Sequence, residues 1–178
     1  MGIAGDPRGV SIQGRSAWAL EQYRRYGARL RADDVVSRLL GELRDSVAAS
    51  REAMIAAELV ERCRICEEEE GGSCCGRGME AHYDGVLLLV NLLLGAPIAE
   101  EWRDEESCLF LGPSGCCLLA RDHICVNYLC MKVGDRISEP ALAEMRRSQG
   151  RELHTLFLLT DHISTLLPKL HADDAANT

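Results

Sequence analysis

The chain has 178 residues, a formal charge of −8 and a hydrophobic fraction of 47%. That is enough apolar material for one core, so a disordered chain is excluded. The longest apolar run, VLLLVNLLL at 86–94, is nine residues long and contains Asn91; a bilayer helix needs about 20, so no membrane partner is expected.

Aromatic residues make up only 4% of the chain, and the apolar content is mostly Leu, Ala and Val, the palette of a helical protein. Residues 1–15 read as a loose N-terminal lead. They lack the basic start and apolar core of a secretory signal, and Asp6 stands where a myristoylation pattern requires Ser or Thr. The expected compartment is the cytoplasm. Residues 16–178 read as a single helical domain. A short helix is predicted over 16–31 from Ala19, Leu20, Tyr23, Tyr26 and Leu30. Asp33 should cap a long second helix carrying Val36, Leu39, Leu40, Leu43, Val47, Met54 and Leu59 and running close to Arg62. Residues 80–94 suit a buried strand or a buried helix by pattern; Leu-richness, Asn91 and the Gly95-x-Pro97 stop favour helix. The last element should start near Ser138 with Pro140 in its first turn. It continues through Leu142, Met145, Leu153, Leu156, Phe157, Ile163, Leu167 and Leu170, with Gly150 a candidate break. The expected fold is mainly α: an antiparallel helical bundle with a loop-rich cysteine metal-binding module, residues 63–130, inserted between its long helices.

All nine cysteines lie in that 68-residue window, and both ends of the chain are empty of them. Their pattern is C-x2-C-x7-C-C, a 32-residue gap, then C-x7-C-C-x7-C-x4-C. The spacing Cys63-x2-Cys66 is that of a metal knuckle, in which a tight turn lets two thiolates converge on one ion. A partial echo relates Cys66…Cys74-Cys75 to Cys108…Cys116-Cys117, a weak sign of two similar half-sites. Charge is concentrated here too: residues 63–107 carry three arginines against eleven acids. A zinc module that binds nucleic acid needs a basic face, so a nucleic-acid partner is not expected.

Four chemistries compete for the cysteines. Disulfides fit an oxidising compartment and an even count, and neither holds. Unconnected buried thiols do not explain the clustering. Structural zinc would use eight cysteines in two four-ligand sites, but only one C-x2-C knuckle is present. Iron–sulfur ligation suits a thiolate-rich, histidine-poor set, although neither common ferredoxin spacing occurs. The balance falls on an iron–sulfur cluster, of the [4Fe-4S] type, with zinc the alternative.

The run Cys63-x2-Cys66…Cys74-Cys75, then Cys108-Leu-Phe-Leu, Gly115-Cys116-x-Leu118 and Arg121-x3-Cys125 resembles the YkgJ-type cysteine-cluster family, whose members are described as zinc- or iron-chelating. Asp122 and Leu109 stand where that family has Pro, and the opening gap of seven is longer than its usual two to four. The resemblance covers 63–130 and implies a Cys-ligated metal centre in a bacterial cytosolic protein. Position by position it implies Cys63, Cys66, Cys74, Cys75, Cys108, Cys116 and Cys125 as ligands. Cys130, five residues after Cys125, completes the expected set, and Cys117 is the spare, although the internal echo pairs it with Cys75. Arg121 is the expected cofactor-contacting residue, donating hydrogen bonds to cluster sulfurs or loop carbonyls.

The glutamates at 67–70 read as a solvated loop rather than a second site. His82 and His123 could complete a mixed site, while His154, His162 and His171 read as surface or satisfied groups. No P-loop, Gly-x-Ser-x-Gly elbow or His-Glu-x-x-His occurs, so no enzymatic reaction is indicated. The expected function is a Cys-ligated centre in electron transfer, redox sensing or metallocentre handling, with a protein or redox partner. A zinc-stabilised helical adaptor for a protein partner is the alternative, and a homo-oligomer is compatible with either.

Overall fold

The computed structural model describes residues 10–69, 74–130, 134 and 137–176. Its helices are α1 (Ile12–Ala32), α2 (Asp34–Ala56), α3 (Leu59–Glu69), α4 (Gly85–Leu94), α5 (His123–Asn127) and α6 (Glu139–Ala176). A 3-10 turn at Met79–His82 precedes α4, and a small hairpin pairs β1 (Leu111–Gly112) with β2 (Gly115–Cys116). The fold is mainly helical, as the composition predicts. Among the described residues no helix is long and apolar enough to cross a membrane.

Residues 12–15 belong to α1 rather than to a loose lead, because the Ser11 hydroxyl accepts the Gly14 N–H at 3.3 Å and caps the helix early. The rest of the expected lead, 1–9, lies outside the described residues. Asp33 caps α2 as predicted, accepting the Val35 and Val36 amides at 3.1 and 2.9 Å. The second helix does not run unbroken toward Arg62. It stops at Ala56, and Glu58, at φ +57, turns the chain before α3 begins. Positions two apart on a continuous helix face opposite ways; the break lets Ala57 and Leu59 both bury in one small cluster with Met145.

All ten residues of α4 are buried, the signature of a helix that crosses the centre of a core. Asp84 caps it through the Leu87 amide at 2.7 Å, and Gly95, at φ +88, ends it where the Gly-x-Pro signal predicts. α1 packs along α4, and α2 pairs most extensively with α6. Asp33, before α2, meets His162, whereas Ser50, near its end, lies beside Glu152, so the two helices run antiparallel. α6 passes Gly150 without a break and contains Pro168; Leu167 and Leu170 remain buried on either side of it. Phe157, expected in the core stripe, is 65% exposed, and Leu159 is buried instead.

Candidate metal centre

The cysteine region is less loop-rich than its glycines and polar runs suggest. Cys63 and Cys66 sit on α3, not in a tight-turn knuckle, and the expected glutamate loop is helical up to Glu69. A spacing of three still places both thiols on one helix face. Cys125 is on α5, whose first turn Asp122 caps through the Ile124 amide at 2.9 Å. Asp122 therefore starts a helix. Cys74, Cys75, Cys108, Cys117 and Cys130 lie in turns and irregular segments, and Cys116 ends the hairpin.

These segments are held by backbone pairing. The chain after Cys75 runs antiparallel to 106–108: Gly76 bridges Ser107, Arg77 N–H donates to Glu106 O at 2.6 Å, and Cys108 N–H donates to Cys75 O at 2.7 Å. Asp104 shapes the approach to Cys108. Its carboxylate accepts the Ser107 amide at 2.7 Å and hydroxyl at 2.8 Å, and with Arg103 these bonds hold its pKa down to about 2. The hairpin pairs Leu111 with Cys116, and one step further Cys117 N–H donates to Phe110 O at 2.9 Å. Gly115, at φ +104, makes that reversal in a conformation that disfavours side chains.

The loop after the hairpin is anchored by Asn91, the buried polar residue of α4. Its Nδ2 donates to Leu87 O at 3.0 Å and Ala120 O at 2.8 Å, and its Oδ1 accepts the amides of Leu119 at 2.9 Å and Ala120 at 3.0 Å. Arg51 of α2 holds Leu118 O at 2.9 Å. Tyr83, buried edge-on against Phe110 at 5.0 Å, donates its hydroxyl toward Cys125 Sγ at 3.7 Å. The sequence reading missed Asn91 as an anchor, along with Tyr83 and Arg51. A lone amide in an apolar helix was the available signal, because a buried amide must find partners.

The thiols fall into two neighbourhoods. Cys63 and Cys74 have raised pKa values, through burial first and then through nearby cysteines: Cys66, Cys74 and Cys130 around Cys63, and Cys66 and Cys130 around Cys74. Cys108 is pushed up to about 12 by burial, with Glu80, Cys116 and Cys125 adding to it. Burial also raises Cys116 and Cys125, and Arg121 opposes the rise at both. Cys117 is raised by burial, and its Sγ turns onto Phe110 O at 3.2 Å. No disulfide joins any of the nine.

Arg121 lies beside Met54, with its Nη2 3.5 Å from the Sδ, and its buried Nε has no hydrogen-bond partner. It also faces Glu152, a fully buried carboxyl whose two oxygens have no hydrogen-bond partner of ordinary geometry. His123 is exposed beside Asp122, and His82 is exposed on the 3-10 turn. His162 contacts Asp33 at 3.0 Å and His171 contacts Gln22 at 2.7 Å, as satisfied groups would.

The donor set fits a thiophilic ion in kind: nine cysteines and two histidines within residues 63–130. Among the described residues, no three or more Cys, His, Asp or Glu side chains are gathered into a closed coordination sphere. Neutral thiols have no reason to converge without a cation, since ligation requires their deprotonation. Comparisons with protein-family models, curated proteins and solved structures found no match.

Proposed function

We propose that this chain is a metal-binding protein whose Cys-ligated centre, an iron–sulfur cluster, serves electron transfer, redox sensing or metallocentre handling. One observation carries the reading. Cys66, Cys74 and Cys130, from three separated stretches of sequence, all lie within electrostatic reach of Cys63, and Cys66 and Cys130 within reach of Cys74. Packing supports it, because Cys130 and Leu129 sit against the apolar cluster that Leu59 of α3 enters. The resemblance of 63–130 to the YkgJ-type family points the same way. Thiolates gathered in this number suit iron–sulfur or zinc chemistry.

The second reading, zinc in the same ligands stabilising an adaptor, is favoured by Phe157 and Leu158, adjacent exposed apolar residues on α6. Anaerobic purification followed by iron, zinc and acid-labile sulfide analysis separates the two. Brown protein with iron and sulfide is expected; colourless protein holding zinc alone would leave the adaptor, and protein binding neither metal would end both readings.

A further inference from the structure

Resting on that metal-binding reading, we infer that the cysteines form two separate four-thiolate centres: an outer one of Cys63, Cys66, Cys74 and Cys130, and an inner one of Cys75, Cys108, Cys116 and Cys125. The adjacent pair Cys74–Cys75 is divided between them, and Cys117 belongs to neither.

Backbone register divides the first pair. With Gly76 opposite Ser107, the residue directly opposite Cys75 is Cys108, and the 2.7 Å bond from Cys108 N–H to Cys75 O confirms that register. Directly opposed residues of an antiparallel pair project to the same face, with Cβ atoms about 5 Å apart. Successive side chains along extended backbone project to opposite faces. Cys75 therefore shares a face with Cys108, whereas Cys74, one residue earlier in the turn, has Cys130 and Cys66 as its cysteine neighbours.

The same logic separates Cys116 from Cys117. Cys116 pairs with Leu111 in the hairpin and Cys117 lies opposite Phe110, with its sulfur held on the Phe110 carbonyl at 3.2 Å. Tyr83 joins the inner set from the core side, since its ring packs on Phe110 and its hydroxyl reaches Cys125. The two sets also rest on different apolar clusters. Cys108 is buried in the main core and Cys116 and Cys125 pack against it, whereas Cys130 packs on the small cluster of Ala57, Leu59 and Met145. The cysteine neighbours of Cys63 and Cys74 lie within the outer set and those of Cys108 and Cys125 within the inner set, while Cys116 feels Cys117, the next residue in the chain. Four thiolates match the ligand number of one tetrahedral ion or one cluster. The outer centre has two exposed cysteines, Cys63 and Cys74, against one, Cys75, and a buried Cys108 in the inner, and should exchange its ion faster.

Cobalt(II) titration of the reduced full-length protein under anaerobic conditions, followed by thiolate-to-cobalt absorbance, tests this directly. Two equivalents are expected for the wild type, with EDTA stripping one in a fast phase. C74S should lose the fast equivalent and C75S the slow one, while C117A keeps both. Cys74 and Cys75 are both exposed, so neither serine variant endangers the core. C63S/C66S and C116S/C125S repeat the division from the other ligands, with far-UV circular dichroism confirming that each variant is folded. A wild type that binds one equivalent, or C74S and C75S that deplete the same phase, would overturn the division while leaving a metal protein. A wild type that binds no cobalt would remove the metal reading itself.

Discussion

Asn91→Leu tests the anchoring of the cysteine loop while keeping the number and branching of the side-chain heavy atoms. Asn91 makes four hydrogen bonds inside a helix whose every residue is buried, and three of them reach the loop at Leu119 and Ala120. Leucine leaves two amides and one carbonyl without those partners. Each unsatisfied buried group costs about 1–3 kcal/mol, but Leu119 is only half-buried and its amide can be rehydrated. A loss of about 4 kcal/mol results, a large part of the roughly 5–15 kcal/mol that holds a domain together. At about 2–4 °C per kcal/mol for a chain of this size, the melting temperature should fall by about 8–16 °C.

Guanidinium titration of the metal-free, reduced protein measures the loss, and amide exchange locates it at Leu119 and Ala120. A loss under about 1 kcal/mol with unchanged exchange at those amides would refute the anchoring role. Asn91→Asp supplies a second check. It keeps the Oδ1 acceptor but puts a carboxylate opposite the carbonyls of Leu87 and Ala120. Burial and those oxygens favour the protonated acid, so the folded-state pKa is raised. The penalty should therefore be full at alkaline pH and shrink as pH falls toward the usual carboxylate range.

Other consequences can be measured on the same metal-free protein. A Cβ at Gly85 would lie 2.5 Å from the Trp18 ring, so Gly85→Ala should cost about 1–3 kcal/mol in guanidinium titration; an unchanged midpoint would show that the ring yields freely. Burial raises the Glu152 pKa against the opposing influence of Ser50, Arg121 and Arg51. The folded state thus holds the proton to higher pH than the unfolded chain, and stability is lost as pH rises from about 4.5 through the folded pKa. Glu152→Gln should remove that loss, and melting curves of the two proteins that stay parallel across pH would contradict it. Cys108, with its pKa near 12, should alkylate with iodoacetamide at pH 8 far more slowly than exposed Cys74; equal rates by peptide mass spectrometry would overturn its assignment to the core.

The fold was legible wherever a local signal and burial agreed. Asp33 caps α2 as its position predicts, and the Leu-rich run at 86–94 is a helix ended by Gly95. Legibility failed where tertiary contacts override a local pattern. Leu59 continues the α2 stripe in sequence, but burying it with Ala57 against Met145 requires a break at Glu58. Phe157 fits the α6 stripe by spacing and still faces outward, with Leu156 and Leu159 taking the core positions. Cysteine spacing indicated that thiols would cluster, but it could not sort them. C-x2-C reads alike on a turn and on a helix, and the pairing of residues 75–77 with 106–108 joins segments about 30 residues apart with no local mark in either.

The two cysteine neighbourhoods differ in what holds them together without an ion. Cys108, Cys116 and Cys125 hang from the main core through Tyr83, Phe110 and the Asn91 clamp, so their backbone is fixed by burial and satisfied hydrogen bonds. Cys130 packs on a small cluster with only three fully buried members, Ala57, Leu59 and Met145, and α3, which carries Cys63 and Cys66, reaches that cluster through Leu59. A group that small contributes only a few kcal/mol of burial against the entropy of ordering α3 and the segment that carries Cys130. On the proposed metal-binding reading, an ion there would supply part of the ordering energy itself, and α3 would fold together with it. Metal should protect the α3 amides from exchange strongly and those of α4 little, because α4 is already held by the core. Equal protection of both helices on metal binding would show instead that the centres stabilise the whole fold as one unit.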